Sequence, residues 1–193
     1  MLIVESDRAA VEQSLGAGVL FCPGCGGELR PWGSARKRAL REEGVETALV
    51  PRRSRCRSCE KTHVLLPDSC LLRRRDALVT IGKALLAKAA GDGRRVIGAR
   101  LSIPPDTVRG WFRRFAAAAE QLRVRCWAWA HAFDASLGAI TPVGSLFADA
   151  LAALGLAMAT ATRRLGPRPG WGWAAVITSG RLLTNTSSPS SGS

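Results

Sequence analysis

The 193-residue chain has no tyrosine, two histidines, and only 15 acidic residues against 28 lysines and arginines. Long apolar runs are missing too, and each shortage excludes something. A metal-dependent nuclease or transposase gathers several carboxylates around Mg²⁺ on a sizeable scaffold. Here Asp134 and Asp149 lie in Ala-rich, helix-patterned surroundings and no other carboxylates are arranged as a cluster, so catalysis is not expected. The Ala-rich stretch from Ala150 to Thr162 falls short of the ~20 residues that cross a bilayer, and Asp149 and Arg163 bracket it. Glu5, Asp7 and Glu12 interrupt the only apolar start, so no secretory signal is read and the cytoplasm is the expected compartment. No basic amphipathic helix of the membrane-surface kind is present, and no internal repeat.

What the chain has is positive charge. The net charge is +13 and the isoelectric point about 11.0, while 47% hydrophobic residues are enough for a packed core. The excess is localised in runs such as Arg36-Lys37-Arg38, Arg52-Arg53-Ser54-Arg55 and Arg73-Arg74-Arg75. A basic stripe inside a folded region points to a polyanion, with double-stranded DNA as the expected partner and the nucleoid as the place.

Four of the six cysteines form two C-x-x-C pairs, Cys22-Pro23-Gly24-Cys25 and Cys56-Arg57-Ser58-Cys59. In a reducing compartment such pairs read as metal ligands, and two knuckles place four thiolates around one tetrahedral Zn²⁺. A closed four-cysteine site leaves no open position for substrate, so the zinc is expected to be structural. The pairs lie further apart than in common zinc patterns, which a hairpin between them explains. Leu29–Arg41 and Val45–Arg55 are β-compatible, with Glu42-Glu43-Gly44 as the turn. The alternative is a short helix over Ala35–Glu43, because Ala, Arg, Lys and Glu favour helix. His63 reads either as a substitute ligand or as a residue of the strand Thr62–Leu66. Glu60 stands where a second knuckle often has glycine, and Cys70 reads as a small buried hydrophobe.

The second motif is Arg94–Phe115. Ile97, Gly98 and Leu101 belong to one short helix, Leu101-Ser102-Ile103 is a turn, and Pro104-Pro105 opens the next helix. Val108, Trp111, Phe112 and Phe115 recur at three- and four-residue spacing and make one apolar face. The other face shows Asp106, Thr107, Arg109, Gly110, Arg113 and Arg114. This is the pattern of a DNA-reading helix-turn-helix. Pro105, Asp106, Thr107, Arg109, Arg113 and Arg114 are the expected DNA contacts on the second helix, and Arg73, Arg74, Arg75, Arg94 and Arg95 the flanking phosphate contacts. Ser102 occupies the turn position most often held by glycine, so strain is expected there.

The expected fold class is α+β: an N-terminal four-cysteine zinc ribbon of β-hairpins, a three-helix helix-turn-helix unit and a C-terminal helical hairpin. The divisions are 1–18, a strand and a helix capped by Ser6; 19–68, the ribbon; 73–125, the DNA-binding unit, its first helix capped by Asp76; 126–184, helical; and 185–193, a Ser-rich disordered tail. A helix from near Thr141-Pro142 carries Val143, Leu146, Phe147, Ala150, Leu151, Leu154 and Met158, and either closes the core or forms a homodimer seam.

The stretches CPGCGGELRPWG, RRSRCRSCEKTHVLLP and IGARLSIPPDTVRGWFRRF, and more loosely the C-terminal GRLL, resemble a family of small zinc-ribbon plus helix-turn-helix proteins of actinobacteria, many associated with insertion sequences. The bias toward arginine and the absence of tyrosine fit a GC-rich genome. The resemblance implies DNA binding beside a transposase or another DNA-processing protein. The expected function is thus a zinc-stabilised, sequence-specific DNA-binding accessory or regulator of a mobile element. The alternatives are a transcriptional regulator unrelated to transposition and a protein-interaction adaptor that uses the ribbon.

Overall fold

The computed structural model describes residues 1–138 and 141–184; the expected Ser-rich tail lies outside the described residues. Its architecture is mixed α+β, with the strands in the first third and most of the helices after them. The strands are β1 (Leu2–Val4), β2 (Leu29–Ser34), β3 (Arg38–Glu42), β4 (Val45–Leu49), β5 (Arg52–Cys56) and β6 (Thr62–Pro67). The helices are α1 (Arg8–Gly16), α2 (Leu78–Ala89), α3 (Arg94–Leu101), α4 (Pro105–Phe133), α5 (Leu146–Leu165) and α6 (Gly172–Ile177).

A four-stranded sheet runs in the order β1-β6-β5-β2, with β1 parallel to β6 and the other pairs antiparallel. The two long β-compatible runs each break in the middle. Their distal halves form the separate β3–β4 hairpin, closed by Glu43 and Gly44 at φ 47° and 86°. Two successive positive φ angles give a turn whose twist matches that of the strands it joins, and glycine takes the second without strain. Ala35–Glu43 forms no helix. The hairpin is docked on the linker before α2: the Arg41 N–H donates to the Arg75 carbonyl at 2.6 Å and the Ala77 N–H to the Arg41 carbonyl at 2.8 Å.

Three helix starts differ from expectation, the first two because a side chain is engaged elsewhere. Asp7, not Ser6, caps α1 through the Ala9 N–H, while the Ser6 hydroxyl donates to Asp68 at 2.7 Å. Asp76 does not cap α2; it is buried and pairs with Arg41 at 2.6 Å. α5 begins at Leu146 with Ser145 as its cap, not at Thr141-Pro142.

Two cores result. Val4, Val11, Leu15, Cys22, Leu29, Cys56 and Leu65 pack between α1 and the inner face of the sheet. The second core is continuous from Leu71 to Leu183 and draws on every helix from α2 to α6. In it Val108, Trp111 and Phe115 face inward from α4, each worth about 1.5–3 kcal/mol when removed from water. α5 closes this core with Ala150, Leu151, Ala153, Leu154, Ala157 and Ala161. At 20 residues α5 is long and apolar enough to cross a bilayer by length and composition alone. That is longer than the run read from sequence, because the helix continues through Asp149, Arg163 and Arg164.

The candidate metal centre and the basic helix

Two turns bring the cysteines together. Cys22–Cys25 lies in the loop between α1 and β2, while Cys56 ends β5 and Cys59 lies in the loop that leads to β6. The four Sγ atoms lie within 4.8 Å of one another and can hold a metal ion. Cys22 and Cys59 are 3.7 Å apart, Cys25 and Cys56 3.4 Å. The loops are built so that amides face the sulfurs: the Gly24 N–H reaches Cys22 Sγ at 3.5 Å, and the Ser58 and Cys59 N–H groups reach Cys56 Sγ at 3.4 and 3.5 Å. A Cβ on Gly27 would collide with the Ser58 side chain and press on Cys56 Sγ, so glycine is needed where the loops meet. Glu60 takes the left-handed conformation at φ 59°, the geometry for which glycine is the usual residue.

The electrostatics fit a cation. Backbone N–H bonds, that from Cys59 foremost, bring the Cys56 thiol down to about 6. The Gly24 N–H lowers the Cys22 thiol in the same way. At Cys25 the Gly27 N–H also pulls down, but the bonds shared with Cys59 and Cys56 outweigh it and push this thiol up to about 12. Sulfurs this close cannot all ionise against one another without a counter-charge. A metal ion held there would supply that charge and let all four become thiolates.

His63 is not one of the four donors. Its Nε2 lies 3.3 Å from Cys22 Sγ and its Nδ1 3.1 Å from the Met1 nitrogen, and burial lowers its pKa. A neutral ring that donates from Nε2 to the Cys22 sulfur orients that ligand from behind. Strand alternation carries the signal: Leu65 points inward, and His63, two residues earlier on β6, shares its face.

The second set of expected site residues lies on α3, α4 and the segment before α2. Arg109 and Arg113 are exposed on the side of α4 opposite Trp111 and Phe115, with Pro105 and Asp106 exposed in the first turn and Thr107 half-buried. Arg114 bends back to the Gly110 carbonyl at 3.0 Å. Arg94 and Arg95 are exposed at the start of α3. The Arg73–Arg75 run divides by role. Arg74 is half-buried and donates to the Leu183 carbonyl at 2.6 Å, Arg75 pairs with Glu46 at 3.0 Å, and Arg73 is exposed. Ser102 is left-handed at φ 53°, as expected of that position. Gly98 permits the turn, because a Cβ there would lie 2.7 Å from the Ile103 carbonyl. Of the two carboxylates weighed for catalysis, Asp134 pairs with Arg163 at 3.3 Å and Asp149 accepts the Val143 N–H at 2.6 Å.

Fold and site together define an α+β protein with a cluster of four cysteines beside its N-terminal strands that could hold a metal ion. A family model described as a domain of unknown function (DUF6431) matches residues 22–94, from the first cysteine of the site to the first residue of α3. No curated protein and no solved structure matches the chain.

Proposed function

We propose that this chain is a zinc-stabilised protein that reads a specific sequence in double-stranded DNA, as an accessory or regulatory factor of a mobile element. The observation that carries the reading is the division of α4 into a buried face of Val108, Trp111 and Phe115 and an exposed face bearing Arg109 and Arg113. It sits directly after the tight turn at Gly98 and Ser102. In this reading α2, α3 and α4 are the three helices of a helix-turn-helix, and the start of α4 enters the major groove. Arginines four residues apart project from one face, where a guanidinium can pair with the O6 and N7 of guanine. Arg94, Arg95 and Arg73 reach phosphates and set the register.

Zinc is the metal of this reading. Four thiolates at a Zn–S distance of about 2.3 Å stand roughly 3.8 Å apart in a tetrahedron. The separations of 3.4 and 3.7 Å are close to this, and all four sulfurs lie within 4.8 Å of one another. Filled by cysteines alone, the site has no open position for substrate, so its role is to hold the two loops together. The link to a mobile element rests on the resemblance alone.

Selection from random duplexes with the purified, zinc-loaded protein is the test. An enriched motif is expected, and Arg109→Ala should weaken binding to it by ~1–3 kcal/mol with little effect on random duplex. Selection that enriches nothing refutes the reading.

A further inference from the structure

We propose that the outer face of the four-stranded sheet, centred on Trp32, is a second nucleic-acid site that binds single strands by stacking a base on the indole. None of its residues takes part in the duplex reading given above, so it stands independently of it.

Strand alternation builds the face. Leu29 and Cys56 are register partners pointing into the core, and the next pair, Arg30 and Arg55, points outward. Between Pro31 and Ser34 the register of β2 slips, so that Trp32 and Gly33 together oppose Arg53 of β5. Such a bulge turns side chains away from the regular pleat, and it requires Gly33 at φ 84°. Trp32 is left 45% exposed, with the guanidinium carbons of Arg55 and Arg30 at 4.8 and 5.7 Å from its ring centroid. Arg55 is shared with Glu60 at 3.1 Å and Arg53 bonds the Thr62 hydroxyl at 3.1 Å. Arg30 has no hydrogen-bond or ion-pair partner among the described residues, and the Nε atoms of Arg30 and Arg53 are both buried without one.

An indole half in water and ringed by cations contributes little to packing. Its chemistry suits a flat, electron-rich partner attached to phosphates. Duplex DNA keeps its bases stacked inside, whereas a single strand offers each base as a free π-face beside its phosphate, which is how sequence-tolerant strand binding works. An acidic peptide would use the arginines and have no need of the ring.

The test uses the full-length, metal-loaded protein and fluorescence anisotropy with labelled oligo-dT, oligo-rU and a duplex, each of about 20 nucleotides or base pairs. Both single strands should bind, since a base of either kind offers a π-face beside its phosphate. Trp32→Ala should weaken strand binding by about 5- to 150-fold and leave duplex binding within about twofold. Trp32→Phe should retain most of the affinity. Arg30→Ala should lower the salt slope on the strand by about 0.7. On a duplex carrying the selected motif, Arg109→Ala should do the reverse of Trp32→Ala, losing duplex and keeping strand, so failure of either reading is visible without the other. If Trp32→Ala loses its metal, the comparison of Trp32→Phe with Trp32→Leu carries the test, since leucine has bulk without a π-face. The proposal is overturned if neither strand binds, if removing the ring weakens strand and duplex alike, or if polyglutamate displaces the strand as well as unlabelled oligonucleotide does.

Discussion

Cys22 meets two demands at once: it is buried in the core beside Leu29 and Leu65, and its sulfur belongs to the four-thiol cluster. Cys22→Ser should therefore damage packing and metal binding together. At the half-exposed Cys59, Cys59→Ser should act chiefly on the metal. Equimolar zinc is expected in the parent and a loss of most of it in each variant, measured by metal analysis of the purified proteins. Unchanged metal content and folding in both would remove the site. Because thiolates must be free of protons to hold the ion, acidification should release it, and a chelator should loosen the sheet end of the molecule first. Trp111 is a residue of another kind. It is 2% exposed in the helical core, and Trp111→Ala should cost roughly 3–5 kcal/mol of stability. Urea unfolding of that variant beside Arg109→Ala separates a loss of binding caused by unfolding from one caused by a missing contact.

Among the elements, α5 matters most to the arrangement of the others. It packs its alanine-rich face against α4, with Phe147 at 4.7 Å from Phe115, centroid to centroid. The sheet end has its own core between α1 and the strands and touches the helical one through Ile3 of β1. Cutting the chain after residue 129 should thus leave metal binding intact while the helices lose their closing layer. The expected readout is unchanged metal stoichiometry with a fall in helical circular dichroism and an earlier thermal transition. Metal lost from such a fragment would mean that the two ends fold as one. A few ties between them are present. The Leu72 N–H donates to the Gly180 carbonyl at 2.8 Å, and buried Asp68, at the end of β6, holds both Ser6 and Arg168 at 2.7 Å. These ties orient one core on the other.

Over the whole molecule, the net charge of +13 makes association with any polyanion favourable at low salt, so affinity alone says little about function. Salt dependence and sequence dependence have to be measured together. Arg73, exposed at the junction of sheet and helices, is the member of its run free of the pairing that engages Arg74 and Arg75. Arg73→Ala should weaken binding to every duplex alike and lower the slope of log K against log salt by about one. Titrations at several salt concentrations on selected and random duplexes check this. If Arg73→Ala and Arg109→Ala lose the same affinity on both duplexes, α4 does not read bases; if neither loses any, the basic surface serves something other than DNA.

The sequence by itself determined which residues share a face and which cysteines pair. C-x-x-C spacing is local, so the four cysteines of the cluster were legible without the fold, as was the apolar stripe of α4, because a period near 3.6 admits one buried side. Proline and glycine marked the turns at Pro104-Pro105 and Glu43-Gly44 for the same local reason. Only the tertiary structure decided how competing partners were allotted. Asp76 and Ser6 have the chemistry of helix caps, yet Arg41 and Asp68, distant in sequence, claim them. The break of the long hairpin follows from docking Arg41 against Arg75 and Ala77, a pairing across more than thirty residues that no spacing rule contains. His63 shares its strand face with Leu65 by alternation, but its place behind Cys22 needs the register of β6 on β5. The outward turn of Trp32 likewise depends on a bulge that only strand pairing creates. Local periodicity sets what a residue can do; long-range packing sets which of its partners reaches it.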